Sequence, residues 1–197
     1  MRKRERLTAC ICGLFLWVGL QGSAGATTVL QVTGGILTGA TGVDVSGRLY
    51  DVQFVDGSCD TLFNSCSSFT FSTLAAANTA SNVLLTSVFF DGVEGLFDTH
   101  PELTHGCTKK TCLTFTPFES SIFTELLEVS IAENNRSINF DEITNGSTST
   151  KFNPVDRDDV TFAVWSAARP VPLPPTILSL GAAGIGLLLG RRRKRTQ

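Results

Sequence analysis

The sequence lacks the motifs that mark common catalytic sites. It has no Gly-x-Ser-x-Gly elbow, no Ser-x-x-Lys pair, no His-Glu-x-x-His and no phosphate-binding glycine loop. We therefore predict a protein that is not an enzyme and needs no cofactor. A secreted hydrolase stays open as the least favoured alternative, since paired glycosidase carboxylates on separate strands leave no local motif.

Tyrosine and tryptophan are scarce as well. Tyr50 is the single tyrosine, and Trp17 and Trp165 are the two tryptophans, against fourteen phenylalanines. This scarcity argues against a sugar-binding surface built on stacked aromatic rings. The phenylalanines supply enough apolar area for a core.

Basic residues are few between residues 27 and 190. This stretch has seven Lys or Arg against seventeen Asp or Glu, a net charge of −10, whereas the other basic residues lie at the two ends of the chain. A body this acidic repels phosphate backbones. We predict that nucleic acid is not a partner.

The first 26 residues have the three parts of a secretory signal peptide. Basic residues at positions 2–6 precede an apolar stretch at 7–20 and the small residues 23–26. This order predicts export by the Sec machinery and cleavage by signal peptidase after Ala26. An uncleaved N-terminal anchor is the alternative, although the apolar stretch is short for a membrane span.

Cleavage would remove Cys10 and Cys12 and leave four cysteines in a compartment that permits disulfides. Three pairings are possible in principle. The short spacings favour the local pairs Cys59–Cys66 and Cys107–Cys112, whose loops contain turn-forming residues.

The composition changes abruptly after Arg169. Residues 170–175 include four prolines, residues 176–190 are uncharged and rich in Leu, Gly and Ala, and a basic cluster follows: Arg191, Arg192, Arg193, Lys194 and Arg195. A helix over 176–190 would be about 22 Å long, short of the ~30 Å hydrocarbon core. We nevertheless predict a transmembrane helix there, with the basic cluster stopping transfer and staying in the cytoplasm. A buried core helix with a solvated basic end is the alternative.

This order of proline-rich motif, short apolar helix and arginine cluster resembles the PEP-CTERM class of sorting signals, and its VPLPA variant in particular. The matching residues are Val171, Pro172, Leu173 and Pro174, and Pro175 stands where the variant has alanine. The resemblance covers residues 170–197. It implies a Gram-negative bacterium that produces exopolysaccharide, and an exosortase, a membrane cysteine peptidase, as partner.

Residues 27–169 have the length of one domain. Apolar residues alternate with polar ones around a Ser46-Gly47 turn and in the sets Phe69/Phe71, Leu113/Phe115, Leu127/Val129/Ile131, Ile138/Phe140 and Val160/Phe162/Val164, a pattern typical of half-buried strands. Residues 74–88 instead have helical spacing, with a cap at Ser72 or Thr73 and an end at Asp91-Gly92. The expected fold class is α+β: a mainly antiparallel β-sheet with one packed helix. Residues 119–127 suit a helical face as well as a strand.

Two clusters could bind a metal. His100, Glu102, His105, Cys107 and Cys112 carry zinc-binding groups, but their spacing fits no standard zinc motif and exported thiols usually oxidise. Asp156, Asp158 and Asp159 could contact Ca²⁺, although they lack an organising Asp-x-Asp-x-Asp-Gly loop. We predict that neither cluster is a metal site. The first is expected to be a surface loop closed by a disulfide, and the second a solvated acidic turn.

The sequence thus predicts an exported envelope protein, anchored in the inner membrane before processing and then placed at the cell surface or outside the cell. A structural role or an association with exopolysaccharide in a biofilm is favoured, with the molecular activity left open. The main alternative is an extracellular carbohydrate- or cation-binding module.

Overall fold

A computed structural model describes residues 27–121, 123–136 and 141–169. The predicted signal peptide (1–26), the sorting signal with its helix (170–197) and the strand residues Ile138 and Phe140 lie outside the described residues. The described part contains a mostly antiparallel sheet with one long packed helix, which confirms the coarse fold class. None of its helices is long and apolar enough to cross a membrane.

Seven strands form one sheet in the order β1-β2-β3-β9-β6-β7-β8. Their bounds are β1 Val29–Thr33, β2 Ile36–Val45, β3 Arg48–Val55, β6 Thr111–Ser121, β7 Leu126–Asn135, β8 Glu142–Ser149 and β9 Val160–Ala167. The strands β4 Asp91–Gly92 and β5 Gly95–Leu96 form a separate small hairpin. The helices are α1 Cys59–Leu62 and α2 Leu74–Ser87, with 3₁₀ turns at Pro101–Leu103 and Pro154–Asp156.

The last strand of the body, β9, lies at the centre of the sheet. It pairs antiparallel with β3 (Val55 opposite Phe162) and parallel with β6 (Phe115 opposite Phe162), so it joins two antiparallel meanders, β1-β2-β3 and β6-β7-β8. Thr161 and Ala163 are buried on one face of β9, while Val160 and Phe162 are buried on the other. Burial on both faces is typical of a central strand.

The register defines two ends of the sheet. At the exit end lie Ala167 (the end of β9), the Ser46-Gly47 turn and the β6–β7 turn, because β6 and β9 run parallel and Tyr50 pairs with Ala167. At the far end lie Val55, Thr111, Val160 and the junction of β7 with β8. The chain therefore leaves β9 towards residue 170 at the exit end.

Helix α2 covers one face. Thr73 is its N-cap, since its hydroxyl accepts a hydrogen bond from the Ala76 N–H at 3.3 Å. Ala77, Ala80 and Leu84 are fully buried in a core that also contains Val43, Val52, Phe54, Phe97 and Trp165. The small alanines allow close approach of the helix to the sheet. The Ser81 and Ser130 hydroxyls, both buried, hydrogen-bond across this contact at 2.9 Å.

The opposite face is covered by the chain between β3 and α2. This segment contains the Cys59–Cys66 disulfide and packs Phe63 and Phe69 on Phe162 and Phe115. Two hydrogen bonds of 2.5 Å hold it to the sheet, from the Thr70 hydroxyl to the Trp165 carbonyl and from the Ser120 hydroxyl to the Cys66 carbonyl.

Several local expectations are confirmed and others are wrong. The hairpin around Ser46-Gly47 is present, and Gly47 adopts φ 81° with its N–H donating to Asp44 at 2.6 Å. Helix α2 ends at Ser87 rather than at Asp91, because Val88 and Phe89 turn into the core and Asp91-Gly92 form β4. The described residues of 119–127 form strand ends and a turn.

Phe69 and Phe71, which were expected in a strand, instead lie in the segment between α1 and α2, which contains no strand. Asn145, Gly146 and Ser147 lie in β8, a strand that the alternation did not predict. This edge strand has few apolar residues, so period-two alternation gave no signal there.

The side chains under the segment between β3 and α2, among them Phe63, Phe115 and Phe162, form a second core. Replacing Phe162 with alanine should destabilise the fold by about 3–5 kcal/mol, since it empties the centre of this second core. Phe162 is fully buried against the rings of Phe63, Phe115 and Phe152. The matched control is Phe123→Ala, because Phe123 is 93% exposed and should lose little. Urea unfolding of both variants would measure the difference, and equal losses would contradict this packing.

Candidate functional site

Polar and charged side chains gather at the far end, where the β7–β8 junction meets the chain that follows β5. Buried Asn134 of β7 donates its side-chain amide to the Phe97 carbonyl at 2.7 Å and so holds that chain against the sheet. Asp91 orders the next turn: its carboxylate accepts from the Asp98 and Thr99 N–H groups at 3.0 and 3.1 Å and from the Thr99 hydroxyl at 2.8 Å.

His100, Glu102 and Arg136 form a charged group beside this turn. The Glu102 Oε1 atom lies 3.0 Å from Nδ1 of His100 and 3.3 Å from a guanidinium nitrogen of Arg136. Desolvation raises the pKa of Glu102, but the His100 hydrogen bond and the charges of His100 and Arg136 outweigh it, so the pKa lies below its ordinary value. Glu102 is therefore ionised and connects His100 to Arg136 on another segment of the chain.

A polar cavity of about 310 Å³ opens next to this group, lined by Asp98, Thr99, Asn135, Arg136 and Asp141. Burial raises the pKa of Asp141, and the nearby Asp98 and Glu133 carboxylates add to the rise, against the opposing hydrogen bond from the Asn135 N–H at 3.2 Å. Asp98 and Asp141 line the same cavity, and the Asp98 carboxylate contributes to the raised pKa of Asp141. The protonated form of Asp141 is therefore favoured more than in a fully exposed aspartate.

The cavity offers both hydrogen-bond donors and acceptors. Carboxylates and an amide accept or donate to hydroxyl groups, and the guanidinium of Arg136 donates only. Within the described ranges no group of three or more His, Cys, Asp or Glu side chains is arranged to hold a metal ion. The chemistry that fits this cavity is recognition of a small, neutral, hydroxyl-rich group.

The four cysteines of the body form the local disulfides Cys59–Cys66 and Cys107–Cys112. The first fixes the segment that covers the second core, and the second closes the loop before β6 at the far end. Their thiols are therefore not metal ligands in this structure.

The two histidines predicted as alternative ligands do not converge. His100 contacts Glu102, whereas His105 is exposed and its backbone N–H donates to the Leu37 carbonyl at 2.9 Å. Between them lies the 3₁₀ turn Pro101–Leu103.

The acidic turn before β9 is compensated by basic side chains. Asp158 pairs with Lys109 at 2.9 Å, and both carboxylate oxygens of Asp159 accept from Arg157 at 2.8 and 2.9 Å. The Lys109 hydrogen bond holds the pKa of Asp158 below its ordinary value. These pairs compensate the charges of the Asp158 and Asp159 carboxylates.

No motif in the sequence points to Asp98 and Asp141, which both line the cavity. They lie 43 positions apart, outside any motif, and meet only because β7 brings Asn134 against Phe97.

Asp141→Asn should stabilise the fold at neutral pH. A carboxyl group whose pKa is raised by folding stabilises the folded state below pH 3.8, the ordinary pKa of Asp. This stabilisation is lost as the pH rises through the raised pKa. Ionised Asp141 is therefore unfavourable in the folded protein at pH 7. Melting curves should show a higher Tm than wild type at pH 7.5 and no gain at pH 3. The exposed neighbour Glu142→Gln is the control and should leave the Tm unchanged at both values. A gain of the same size at pH 3 would contradict the raised pKa of Asp141.

Comparisons with models of protein families, with curated proteins and with solved structures found no match to this chain. The function proposed below therefore rests on the chemistry of the chain itself.

Proposed function

We propose that residues 27–169 are the extracytoplasmic body of an exported cell-envelope protein with a structural role at the bacterial surface. The observation that carries the proposal is the pair of disulfides, Cys59–Cys66 and Cys107–Cys112, in the part of the chain between a signal-like N-terminus and a sorting-like C-terminus. Disulfides persist outside the cytoplasm and are rare within it. They support an extracellular or periplasmic location for the body.

The proposed route has four steps, and its partners follow from the ends of the chain. The Sec machinery exports the chain, signal peptidase cleaves after Ala26, the apolar run 176–190 holds the intermediate in the inner membrane, and an exosortase acts near Val171-Pro172-Leu173-Pro174. Strand β9 ends at Ala167, so the proposed signal follows the folded body directly.

A structural rather than catalytic role is proposed because neither the thiols of the body nor the hydroxyl beside the polar cavity is paired with a histidine base, an arrangement that covalent catalysis uses. The Thr99 hydroxyl, which borders the cavity, donates to Asp91. The four thiols are in disulfides.

The cavity supports a second candidate, a carbohydrate-binding module for exopolysaccharide. Asp98, Asn135 and Asp141 supply the acceptors and donors that sugar hydroxyls need, and about 310 Å³ suffices for a single sugar ring. The net charge of −10 over residues 27–190 favours a neutral polysaccharide over an anionic one.

Asp98→Ala should weaken binding to neutral exopolysaccharide at least about tenfold if the cavity is the binding site, because it removes a hydroxyl acceptor. Co-sedimentation of the exported protein with purified polysaccharide measures this, with Asp44→Ala at the exit end as the matched control. Equal binding of both variants would eliminate the carbohydrate candidate and leave the structural role.

The sorting proposal is tested by two changes in the tail. Deleting Arg191–Arg195 should release unprocessed protein, because these charges stop the translocating chain and residues 176–190 are only marginally long enough to span. Replacing Pro172 and Pro174 with alanine should instead leave full-length protein in the membrane, because it removes the rigid extended shape that a peptidase would read.

Fractionation of cells followed by immunoblotting against the body distinguishes these outcomes, with Thr196→Ala as a control in the same tail. If both variants are processed at the wild-type rate and reach the surface, the sorting proposal is wrong.

A further inference from the structure

Large apolar side chains are exposed at the exit end. Phe123 in the β6–β7 turn is 93% exposed, and Leu74 and Leu126 are each 41% exposed. Leu74 and Leu126 line one open groove with Phe118, between the N-terminus of α2 and the β6–β7 hairpin. Apolar side chains exposed at one end of a domain mark a candidate surface for contact with a membrane or another protein.

The chain leaves the fold at this same end. Strand β9 runs parallel to β6, so Ala167 lies beside the last residues of β6, and the Ala168 N–H donates to the Leu49 carbonyl at 3.0 Å. Leu49 is itself 39% exposed. From Arg169 to Thr176, the first residue of the apolar run, the seven intervening peptide links reach at most about 25 Å. The exit end must therefore stay close to whatever holds residues 176–190.

The balance of acidic and basic residues also differs between the two ends. At the exit end there are four acidic and three basic residues, counted over segments 44–48, 119–121, 123–128, 149–153 and 167–169. At the far end there are ten acidic and four basic residues, counted over segments 91–110, 133–136, 141–142 and 154–159. Bacterial membranes carry anionic lipid, which repels the far end much more strongly than the exit end.

We propose that, before processing, the exit end rests on the outer face of the inner membrane with Phe123 inserted among the phospholipids. The inference rests on the proposed membrane anchoring by residues 176–190 and adds an orientation to it. The short connection holds Phe123 near the bilayer, its exposed ring gains an apolar environment there, and the weakly charged surroundings allow the approach. The polar cavity at the far end then points away from the membrane, towards the extracellular material.

Fluorescence quenching tests this orientation in the full-length protein reconstituted into vesicles of phosphatidylethanolamine and phosphatidylglycerol. Phe123→Trp places a fluorophore at the exit end, and Val93→Trp is the matched control, since Val93 is 98% exposed in the hairpin at the far end. Wild-type fluorescence is subtracted from both. Lipids brominated on their acyl chains should quench the Phe123→Trp signal at least about twofold more than the Val93→Trp signal.

Failure of the proposed orientation and failure of the proposed membrane anchor give different results. If the protein floats with the vesicles and both variants are quenched equally, the orientation is wrong and the anchor is retained. If the protein does not float with the vesicles at all, the membrane anchor and the orientation are both overturned.

Discussion

The fold depends on the insertion of β9 between β3 and β6. Without this strand the two meanders share no ladder, because β3 and β6 are each hydrogen-bonded to β9 and not to one another. The same strand supplies Phe162 to one core and Trp165 to the other. Since β9 is the last strand among the described residues, the sheet described here can be completed only when residues up to Ala167 are present. In an exported protein, that places the closing step after nearly the whole body has crossed the membrane.

This topology also gives the two ends of the domain different surroundings. Completion of the sheet by β9 leaves Ala167 at the exit end, where apolar residues are exposed. The polar cavity and the Cys107–Cys112 disulfide lie at the far end. The Cys59–Cys66 disulfide instead fixes the chain between β3 and α2 on the cluster around Phe162. The proposed orientation on the membrane therefore depends on the position of β9.

Local signals in the sequence predicted the local parts of the structure. The Ser46-Gly47 hairpin, the Thr73 cap of α2 and the alternation in β6, β7 and β9 all have patterns confined to a few residues. Strand β8 was missed because edge position and polar composition remove its alternation. The parallel pairing of β9 with β6 could not be predicted, since it joins segments some 47 positions apart through tertiary packing. The cavity lined by Asp98 and Asp141 was missed for the same reason: the two residues carry no motif and come together only in the assembled sheet.

The intact mass of the protein recovered from the envelope of expressing cells tests most directly whether the body is an exported, disulfide-stabilised domain. We expect a chain that begins at Thr27 and lacks four hydrogens relative to its fully reduced form. No cysteine of the body should be alkylated before reduction, since all four are paired. A chain that begins at Met1, is recovered from the cytoplasm and has four alkylatable thiols in the body would contradict it.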